Sequence, residues 1–303
     1  MRIAHATDIH WFVPPPLTRL PGKRSLGTTM LYVRGRRHHF DPAVQRSLVA
    51  HIAAAEPDVV IITGDLTAQA LQAEFALARE ALDPLLASFP VFVQPGNHDV
   101  YTSGSKRDGR MARTFGEWMH LSPGDPVARL DHGELTVLGL DPNRPHWSAS
   151  GRVPADQLRR LRELLDSEEL DGRSILLALH YPVVNPRGEL YDNRYHGLRN
   201  ADALQAVLTE ARNRPLAILH GHKHHGYRSA VDVGDGAVTT LNPGSSGYGF
   251  APDQHRQAHF NVYTVEDGVI SVERHAFDGE RFAALPEPYA APPAAPTVGS
   301  VGA

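Results

Sequence analysis

The sequence predicts an α/β fold in which mixed β-sheets carry helices on their outer faces. Short apolar runs alternate with amphipathic helical patterns over residues 2–219, which is typical of βα units. Four further strand-like segments then follow one another without helices between them. The chain has 303 residues, of which 42% are hydrophobic and 21% charged, so it is long enough to bury a large core.

The alternating part begins with a strand at residues 2–7. Asp41 and Pro42 then predict an N-cap and a first-turn proline for a helix that ends before Pro57. The later strands are predicted at 59–63, 91–93, 127–130, 135–140, 175–179 and 216–219, and the later helices at 70–87, 108–119, 154–165 and 200–212.

The β-rich part is predicted to have strands at 228–232, 237–241, 258–264 and 269–275, with a hairpin turn at 234–236. The tail from Pro286 is rich in Ala and Pro, a composition typical of disorder. We therefore expect one domain over residues 1–285 and a disordered tail over 286–303.

Composition excludes several classes of function. The chain has no cysteine, which excludes disulfide scaffolds, Cys-ligated zinc, iron–sulfur clusters and cysteine nucleophiles. Thirty basic and thirty-four acidic residues leave a formal charge of −4, which does not favour nucleic-acid binding. The first residues lack the apolar stretch of a secretory signal, and the apolar runs are far below the ~20 residues that cross a bilayer. We expect a soluble, cytoplasmic protein, and the oligomeric state stays open.

Five polar clusters follow predicted strands, where α/β folds place their sites. They are Asp8-Ile9-His10, Gly64-Asp65, Gly96-Asn97-His98-Asp99, His180 and Gly221-His222-Lys223-His224. Carboxylate, amide and imidazole ligands suit Mn, Fe or Zn, whose identity the sequence does not decide. Residues two apart, such as Asp8 and His10, point the same way if the backbone is extended. Seven ligands suit two ions ~3.5–4 Å apart, an arrangement used for displacement at phosphorus.

Each cluster by itself has an ordinary structural explanation. Asp-x-His and Gly-Asp are common in turns and caps, and a single histidine after a strand is typical of a buried core residue. A His-rich tract such as residues 222–225 also binds metals adventitiously. The complete set, in order and always after a strand, favours one shared site.

The ordered set DxH, GD, GNHD, H and GHxH, spread over residues 8–224, resembles the motif signature of the calcineurin-like metallophosphoesterases. The resemblance implies a four-layer αββα sandwich of two mixed β-sheets flanked by helices, with a dinuclear metal centre at one edge. Carried over by position, it implies one metal on Asp8, His10 and His224, a second on Asn97, His180 and His222, and Asp65 as the bridge.

The resemblance also implies a mechanism. A metal-activated hydroxide would attack phosphorus. His98 would stabilise the phosphoryl charge or protonate the leaving oxygen, and Asp99 would fix the tautomer and orientation of His98.

Departures from the motifs of other branches of this family disfavour those branches. Ala68 stands where purple acid phosphatases have a tyrosine, and residues 66–69 lack the acidic and arginine residues of the serine/threonine protein phosphatases. No length remains for the second domain of long 5′-nucleotidases, and His98 stands where lipid-A pyrophosphohydrolases often carry arginine. The chain thus resembles the compact bacterial phosphodiesterases, including the class III cyclic-nucleotide group.

We therefore favour a phosphodiesterase acting on a small phosphoester, with cyclic nucleotides as one candidate class. A phosphomonoesterase, or a pyrophosphohydrolase acting on a nucleotide lipid or lipid phosphate, is the alternative. A non-catalytic scaffold is disfavoured because all seven ligand positions, His98 and Asp99 are present. A nuclease is disfavoured by the overall charge.

The segment 11–40 is a basic insertion directly after the first motif. It has no acidic residue between Trp11 and Phe40, and its basic side chains are Arg19, Lys23, Arg24, Arg34, Arg36 and Arg37, followed by His38 and His39. The insertion is either a structural cap or a lid that recognises a lipid phosphate or nucleotide lipid, with peripheral membrane contact as one form of this.

Further pocket candidates are Asp141, Arg144 as a phosphate clamp, and the turn at 242–245. A plain surface turn explains each of them equally well. The sequence has neither the GxSxG elbow of serine hydrolases nor a P-loop.

Overall fold

The computed structural model describes residues 1–16, 25, 28, 29 and 39–285. The first of two six-stranded sheets contains β1 (Arg2–Ala6), β2 (Val59–Ile62), β3 (Val91–Val93), β10 (His259–Glu266), β11 (Val269–Phe277) and β12 (Phe282–Ala284). Its order is β12-β11-β10-β1-β2-β3, with β1, β2 and β3 parallel and the other neighbours antiparallel.

The second sheet contains β4 (Ala128–His132), β5 (Leu135–Gly139), β6 (Ser174–Ala178), β7 (Ala217–Leu219), β8 (His225–Asp232) and β9 (Ala237–Gly244). Its order is β4-β5-β6-β7-β9-β8, with a parallel centre, β5 to β9, between two antiparallel edge strands. Both sheets are therefore mixed, as predicted.

The helices are α1 (Pro42–Ala54), α2 (Gln72–Ser88), α3 (Ser103–Arg107), α4 (Arg110–Phe115), α5 (Ala155–Leu165) and α6 (Ala201–Glu210). One apolar core lies between the two sheets, where Ile61 and Phe92 meet Leu176 and Leu219. A second joins α1 and α2 to the first sheet, and a third joins α5 and α6 to the second sheet. These three cores separate four layers and confirm the predicted αββα sandwich.

Local sequence explains most of the element boundaries. Asp41 caps α1 by accepting a hydrogen bond from the Ala43 amide at 2.8 Å, and Pro42 follows in the first turn. The helix predicted at 108–119 begins only after Gly109, whose φ of +59° separates α4 from the preceding α3, and it continues as a 3₁₀ turn at Gly116–Met119. Asn200 was expected to cap the helix at 200–212 but does not, because its side-chain amide accepts from the Val153 amide and donates to the Val153 carbonyl instead.

Parallel strands run in one direction, so their carboxyl ends meet at one edge of each sheet. In this chain the loops after β1, β2, β3, β6 and β7 carry the five polar clusters. Most of the basic insertion and the tail from residue 286 lie outside the described residues. Among the residues that the structure describes, none of the helices has the length and apolar character needed to cross a membrane.

Candidate metal centre

The loops that leave β1 and β2 are joined by backbone hydrogen bonds. The Asp8 amide donates to Gly64 O at 3.0 Å, and the His10 amide donates to Asp65 O at 2.9 Å. Asp8, His10 and Asp65 all have positive φ, between 51° and 57°. The extended conformation considered for Asp8–His10 is therefore wrong. Left-handed backbone at non-glycine residues costs roughly 1–3 kcal/mol each, and it is typical of functional sites that the surrounding structure holds in place.

Two glycines allow these loops to approach each other closely. A Cβ atom on Gly221 would overlap Thr7 Oγ1 and lie 2.5 Å from Asp8 Oδ2. A Cβ atom on Gly96 would overlap the Asp65 carboxylate. The two motif glycines therefore have a steric role, since they leave room for the carboxylates.

One half of the site is formed by Asp8, His10 and His224. Asp8 Oδ2 accepts hydrogen bonds from Thr7 Oγ1 and the His222 amide, both at 2.9 Å. Asp8 Oδ1 is buried without a hydrogen-bond partner, 3.3 Å from His224 Nε2 and 3.7 Å from His10 Nε2. Asp65 Oδ2 lies 3.7 Å from His10 Nε2 on the other side.

The other half is formed by Asn97, His180 and His222. Asn97 Oδ1 lies 3.2 Å from His180 Nε2 and 2.9 Å from His222 Nδ1. His180 Nε2 lies 3.4 Å from Asp65 Oδ2, so Asp65 faces both halves. The structure thus brings together all seven residues that the sequence placed at one site.

The outward-facing nitrogens of these histidines have oxygen partners. His180 Nδ1 donates to Thr63 O at 2.8 Å, and His222 Nε2 donates to His196 O at 2.8 Å. A carbonyl oxygen can only accept, so each of these contacts puts a proton on the outward nitrogen. In a neutral ring the inward nitrogen then presents a lone pair to the site, and in a protonated ring a bound cation would take the place of the inward proton.

The two carboxylates make the site electronegative. Burial opposes ionisation of Asp8, yet the nearby His10 and His224 rings hold its pKa well below the usual value. Burial likewise opposes ionisation of Asp65, but nearby His180 and His98 lower its pKa. Burial lowers the pKa of His180, whereas the charge of Asp65 outweighs this effect and raises it to about 9. Both carboxylates are therefore ionised, and the centre attracts a positive charge.

The donor set fits divalent cations. Burial, with a further contribution from His180, lowers the pKa of His222 to about 3, so this ring is neutral. Its proton is on Nε2, so Nδ1 and Asn97 Oδ1 are two acceptors that face each other at 2.9 Å. The buried Asp8 Oδ1 also lacks a donor. Converging lone pairs of nitrogen and oxygen are the ligands that borderline and hard cations take.

His98 and Asp99 differ from their predicted relationship. The His98 ring donates from Nδ1 to Ala68 O at 2.6 Å. Asp99 accepts instead from the amides of Leu66, Thr67 and Gly96 and from Thr67 Oγ1. The prediction that Asp99 orients His98 directly is therefore wrong. The Asp99 carboxylate holds the turn that presents the Ala68 carbonyl, so its effect on His98 is indirect.

The family model of the calcineurin-like phosphoesterases matches residues 1–226. This chain belongs to that family. The predicted family is thereby confirmed.

Two curated relatives are named as diesterases. A probable glycerophosphodiester phosphodiesterase of Arcobacter nitrofigilis is 29% identical over 169 residues, which are 56% of this chain and 57% of that protein. A probable cyclic nucleotide phosphodiesterase of Vesicomyosocius okutanii is 24% identical over 222 residues, which are 73% of this chain and 83% of that protein. The chain thus spans little more than half the length of the first relative.

A solved structure shows the same fold. The dimetal phosphatase of Danio rerio superposes with a TM-score of 0.59 at 14% sequence identity, covering 93% of this chain and 98% of the zebrafish chain. At this identity the likeness concerns the arrangement of sheets and helices alone.

The candidate metal centre opens into a cavity of about 280 Å³. Its lining residues are Asp65, Asn97, His98, Ala149, His196, His222, Lys223 and His224. Ala149 and His196 were not predicted because they lie on irregular loops without a recognisable motif. Asp141 and Arg144 do not line this cavity. Asn242 donates to the carbonyls of Gly221 and Lys223. The candidate turn at 242–245 therefore stabilises the loop of residues 221–224 and does not itself line the cavity.

Tyr248 is a further residue that the sequence did not indicate. Its Oη lies 2.7 Å from His224 Nδ1, and its ring contacts Phe40 at a centroid distance of 5.3 Å. Phe40 in turn lies 4.5 Å from the His10 ring. Tyr248 lies in the irregular stretch 245–249, and no local sequence pattern there indicates a contact with the candidate metal centre.

The basic residues of the insertion cannot be placed relative to the site. Arg19, Lys23, Arg24, Arg34, Arg36, Arg37 and His38 lie outside the described residues. The described end of the insertion does reach the centre, because Phe40 pairs with Tyr248 and the Gly249 amide donates to His39 O at 2.7 Å.

Proposed function

We propose that this chain binds two divalent cations and hydrolyses phosphodiesters. Asp8, His10 and His224 would hold one cation, and Asn97, His180 and His222 the other. Asp65 would bridge the two, since its Oδ2 faces His10 in one half and His180 in the other. His98 would act on the leaving group.

The proposal depends above all on the pair His222 Nδ1 and Asn97 Oδ1. Two acceptors 2.9 Å apart repel each other unless a cation lies against both of them. The His196 carbonyl accepts from Nε2 of His222 and thereby fixes this tautomer and the orientation of the ring.

When bound, the cations supply Lewis-acid polarisation of the phosphoryl oxygens and lower the pKa of the attacking water. The residues of the chain provide the remaining functions. Lys223 places a positive charge in the wall of the cavity and attracts the anionic substrate. Asp65 Oδ1 accepts from the His98 amide at 2.7 Å, which fixes the backbone of His98 relative to the bridging position.

His98 is suited to proton donation. The Ala68 carbonyl holds a proton on Nδ1 and orients the ring, and His98 also lines the cavity. Its Nε2 is therefore the nitrogen that can stabilise the phosphoryl charge or transfer a proton to the leaving oxygen. A positioned general acid of this kind typically contributes about 10²–10⁴-fold in rate.

The preference for diesters is supported by the two relatives, whose names state glycerophosphodiester and cyclic nucleotide substrates. It is tested by comparing bis(4-nitrophenyl) phosphate with 4-nitrophenyl phosphate on protein reconstituted with Mn, Fe or Zn, with the metal content measured on the same sample. We expect about two metals per chain and faster turnover of the diester.

Other outcomes would change the proposal. A clear preference for the monoester would make the chain a phosphomonoesterase. Two bound metals without turnover of either ester would favour a scaffold role or a narrow substrate. Little bound metal after reconstitution would refute the dinuclear centre.

A further inference from the structure

A second cavity of about 380 Å³ lies beside the proposed centre. Its lining residues are Tyr101, Thr102, Ser103, Gly104, Pro145, His146 and Trp147. We call it the 101–147 groove. None of these seven residues is an acid, a lysine or an arginine, so the groove has aromatic rings, hydroxyl groups and one imidazole on its walls.

The groove adjoins the reacting end of the site. The ring of Tyr101 lies 5.4 Å from the ring of His98, at an interplanar angle of 31°. The loop that carries Pro145 and Trp147 into the groove continues to Ala149, which lines the cavity of the metal centre. One loop and one pair of rings therefore connect the two cavities, on the side where His98 would meet the leaving oxygen.

Trp147 distinguishes this groove from an ordinary surface depression. Its side chain is 69% exposed, the largest value among the exposed large hydrophobic residues that the structure describes. An exposed indole beside a cavity offers a large, rigid π-face on which a planar ligand can stack. Base–aromatic stacking tolerates any planar ring because each ring offers a π-face.

We propose that the 101–147 groove is a subsite for a planar aromatic or heteroaromatic group on the leaving side of the phosphodiester, such as a nucleobase. The inference rests on the proposed function and names its substrate class. Among the residues that the structure describes, the lining has no acid, lysine or arginine, which favours a neutral ring there over a second phosphate or a cationic head group. The Ser103 hydroxyl group supplies a polar contact for a ring nitrogen or a sugar oxygen.

The kinetic test compares an aromatic and a non-aromatic diester, bis(4-nitrophenyl) phosphate and sn-glycero-3-phosphoethanolamine. We expect Trp147→Ala to raise KM for the aromatic diester about tenfold and to leave KM for the glycerol diester within twofold, while Trp147→Phe retains most of the affinity. Leu121→Ala, an exposed apolar residue outside both cavities, is the control and should change neither KM. Equal effects of Trp147→Ala on both diesters, or no effect on either, would overturn the subsite.

A binding measurement separates this inference from the proposed function. AMP should quench the tryptophan fluorescence of the wild-type chain and of Trp118→Phe, whereas Trp147→Phe should lose this quenching. Quenching that persists in Trp147→Phe, or that is absent from the wild type, would refute the subsite whatever the catalytic result. If the wild type hydrolyses neither diester but Trp147 reports AMP binding, the proposed activity fails and the subsite stands.

Discussion

Tyr248 Oη and His224 Nδ1 lie 2.7 Å apart, while the opposite nitrogen of the same ring lies 3.3 Å from Asp8 Oδ1. The phenol and the carboxylate thus contact the two ends of one imidazole. Tyr248 is 8% exposed and belongs to the loop after β9, and its hydroxyl group contacts the centre through His224. In metal sites such partners orient the ligand and raise its basicity.

We expect Tyr248→Phe to weaken metal binding about tenfold, because outer partners of metal-ligating histidines typically contribute 10–100-fold in affinity. Competition with a chelator measures this affinity. Tyr227→Phe is the matched control, since Tyr227 Oη also donates one buried hydrogen bond, to Val184 O at 2.9 Å. Both variants should lose about 1 kcal/mol of unfolding free energy, but only Tyr248→Phe should lose metal affinity. Equal affinities would show that Tyr248 has a structural role alone.

His98→Ala should lower kcat on bis(4-nitrophenyl) phosphate by about 10²–10⁴-fold, because it removes the general acid. The metal content should stay close to that of the wild type, since His98 is proposed to act on substrate and not as a ligand. Kinetics and metal analysis on one preparation test both statements. A parallel loss of metal would mean that His98 is a ligand, which its closeness to His10 and Asp65 makes chemically feasible.

Asp65→Ala should abolish the binding of both metals, because its Oδ2 faces both halves of the centre. Metal analysis after reconstitution and dialysis measures the stoichiometry. Asp131→Ala, a change in a surface carboxylate on β4, is the control and should retain the wild-type content. Two metals per chain in Asp65→Ala would refute the bridging assignment.

Gly221→Ala should disrupt the centre by steric overlap. The new methyl group would meet Thr7 Oγ1 and Asp8 Oδ2, and overpacking typically costs about 1–3 kcal/mol. Gly236→Ala is the matched control, because nothing lies within 4 Å of its added Cβ atom. We expect Gly221→Ala to lower both the melting temperature and the metal content, and Gly236→Ala to change neither. Normal metal binding by Gly221→Ala would contradict the close approach of these loops.

The buried ring of His5 is expected to make the folded chain less stable in acid. Its ring bridges Tyr263 Oη and Thr63 Oγ1, both at 2.8 Å. Burial, and to a smaller extent the charge of His220, lowers the pKa of His5 from 6.5 to about 3, although Asp8 acts in the opposite direction. The unfolded chain therefore takes up the proton first as the pH falls. The contribution of His5 is complete above pH 6.5 and is lost progressively between pH 6.5 and about 3.

Urea unfolding of the wild type and His5→Gln at several pH values tests this expectation. The unfolding free energy of the wild type should decline more steeply with falling pH than that of His5→Gln, by up to about 1.4 kcal/mol per pH unit. His132→Gln, on edge strand β4 outside the core between the sheets, should keep the steep decline. Identical slopes for the wild type and His5→Gln would show that this ring is protonated in the folded chain.

The residues alone predicted mixed sheets with helices on their outer faces and one site shared by the polar clusters, while the four-layer αββα order was implied by the resemblance to the calcineurin-like family. Apolar strands and amphipathic helices have periods of two and 3.6 residues that local composition expresses directly. Asp8, Asp65, Asn97, His180 and His222 follow strands, and parallel strands bring their carboxyl ends to one edge. Order along the chain was therefore enough to predict which side chains share a site.

Only the tertiary structure decided how those side chains are oriented. The partner of His98 is the Ala68 carbonyl and not Asp99, and the partner of His224 is Tyr248 from a loop 24 residues away. Backbone carbonyls have no residue identity, and no local pattern specifies a contact across two layers of the sandwich. The left-handed backbone at Asp8 and His10 is likewise held by bonds to the neighbouring loop, a long-range constraint that overrides local preference.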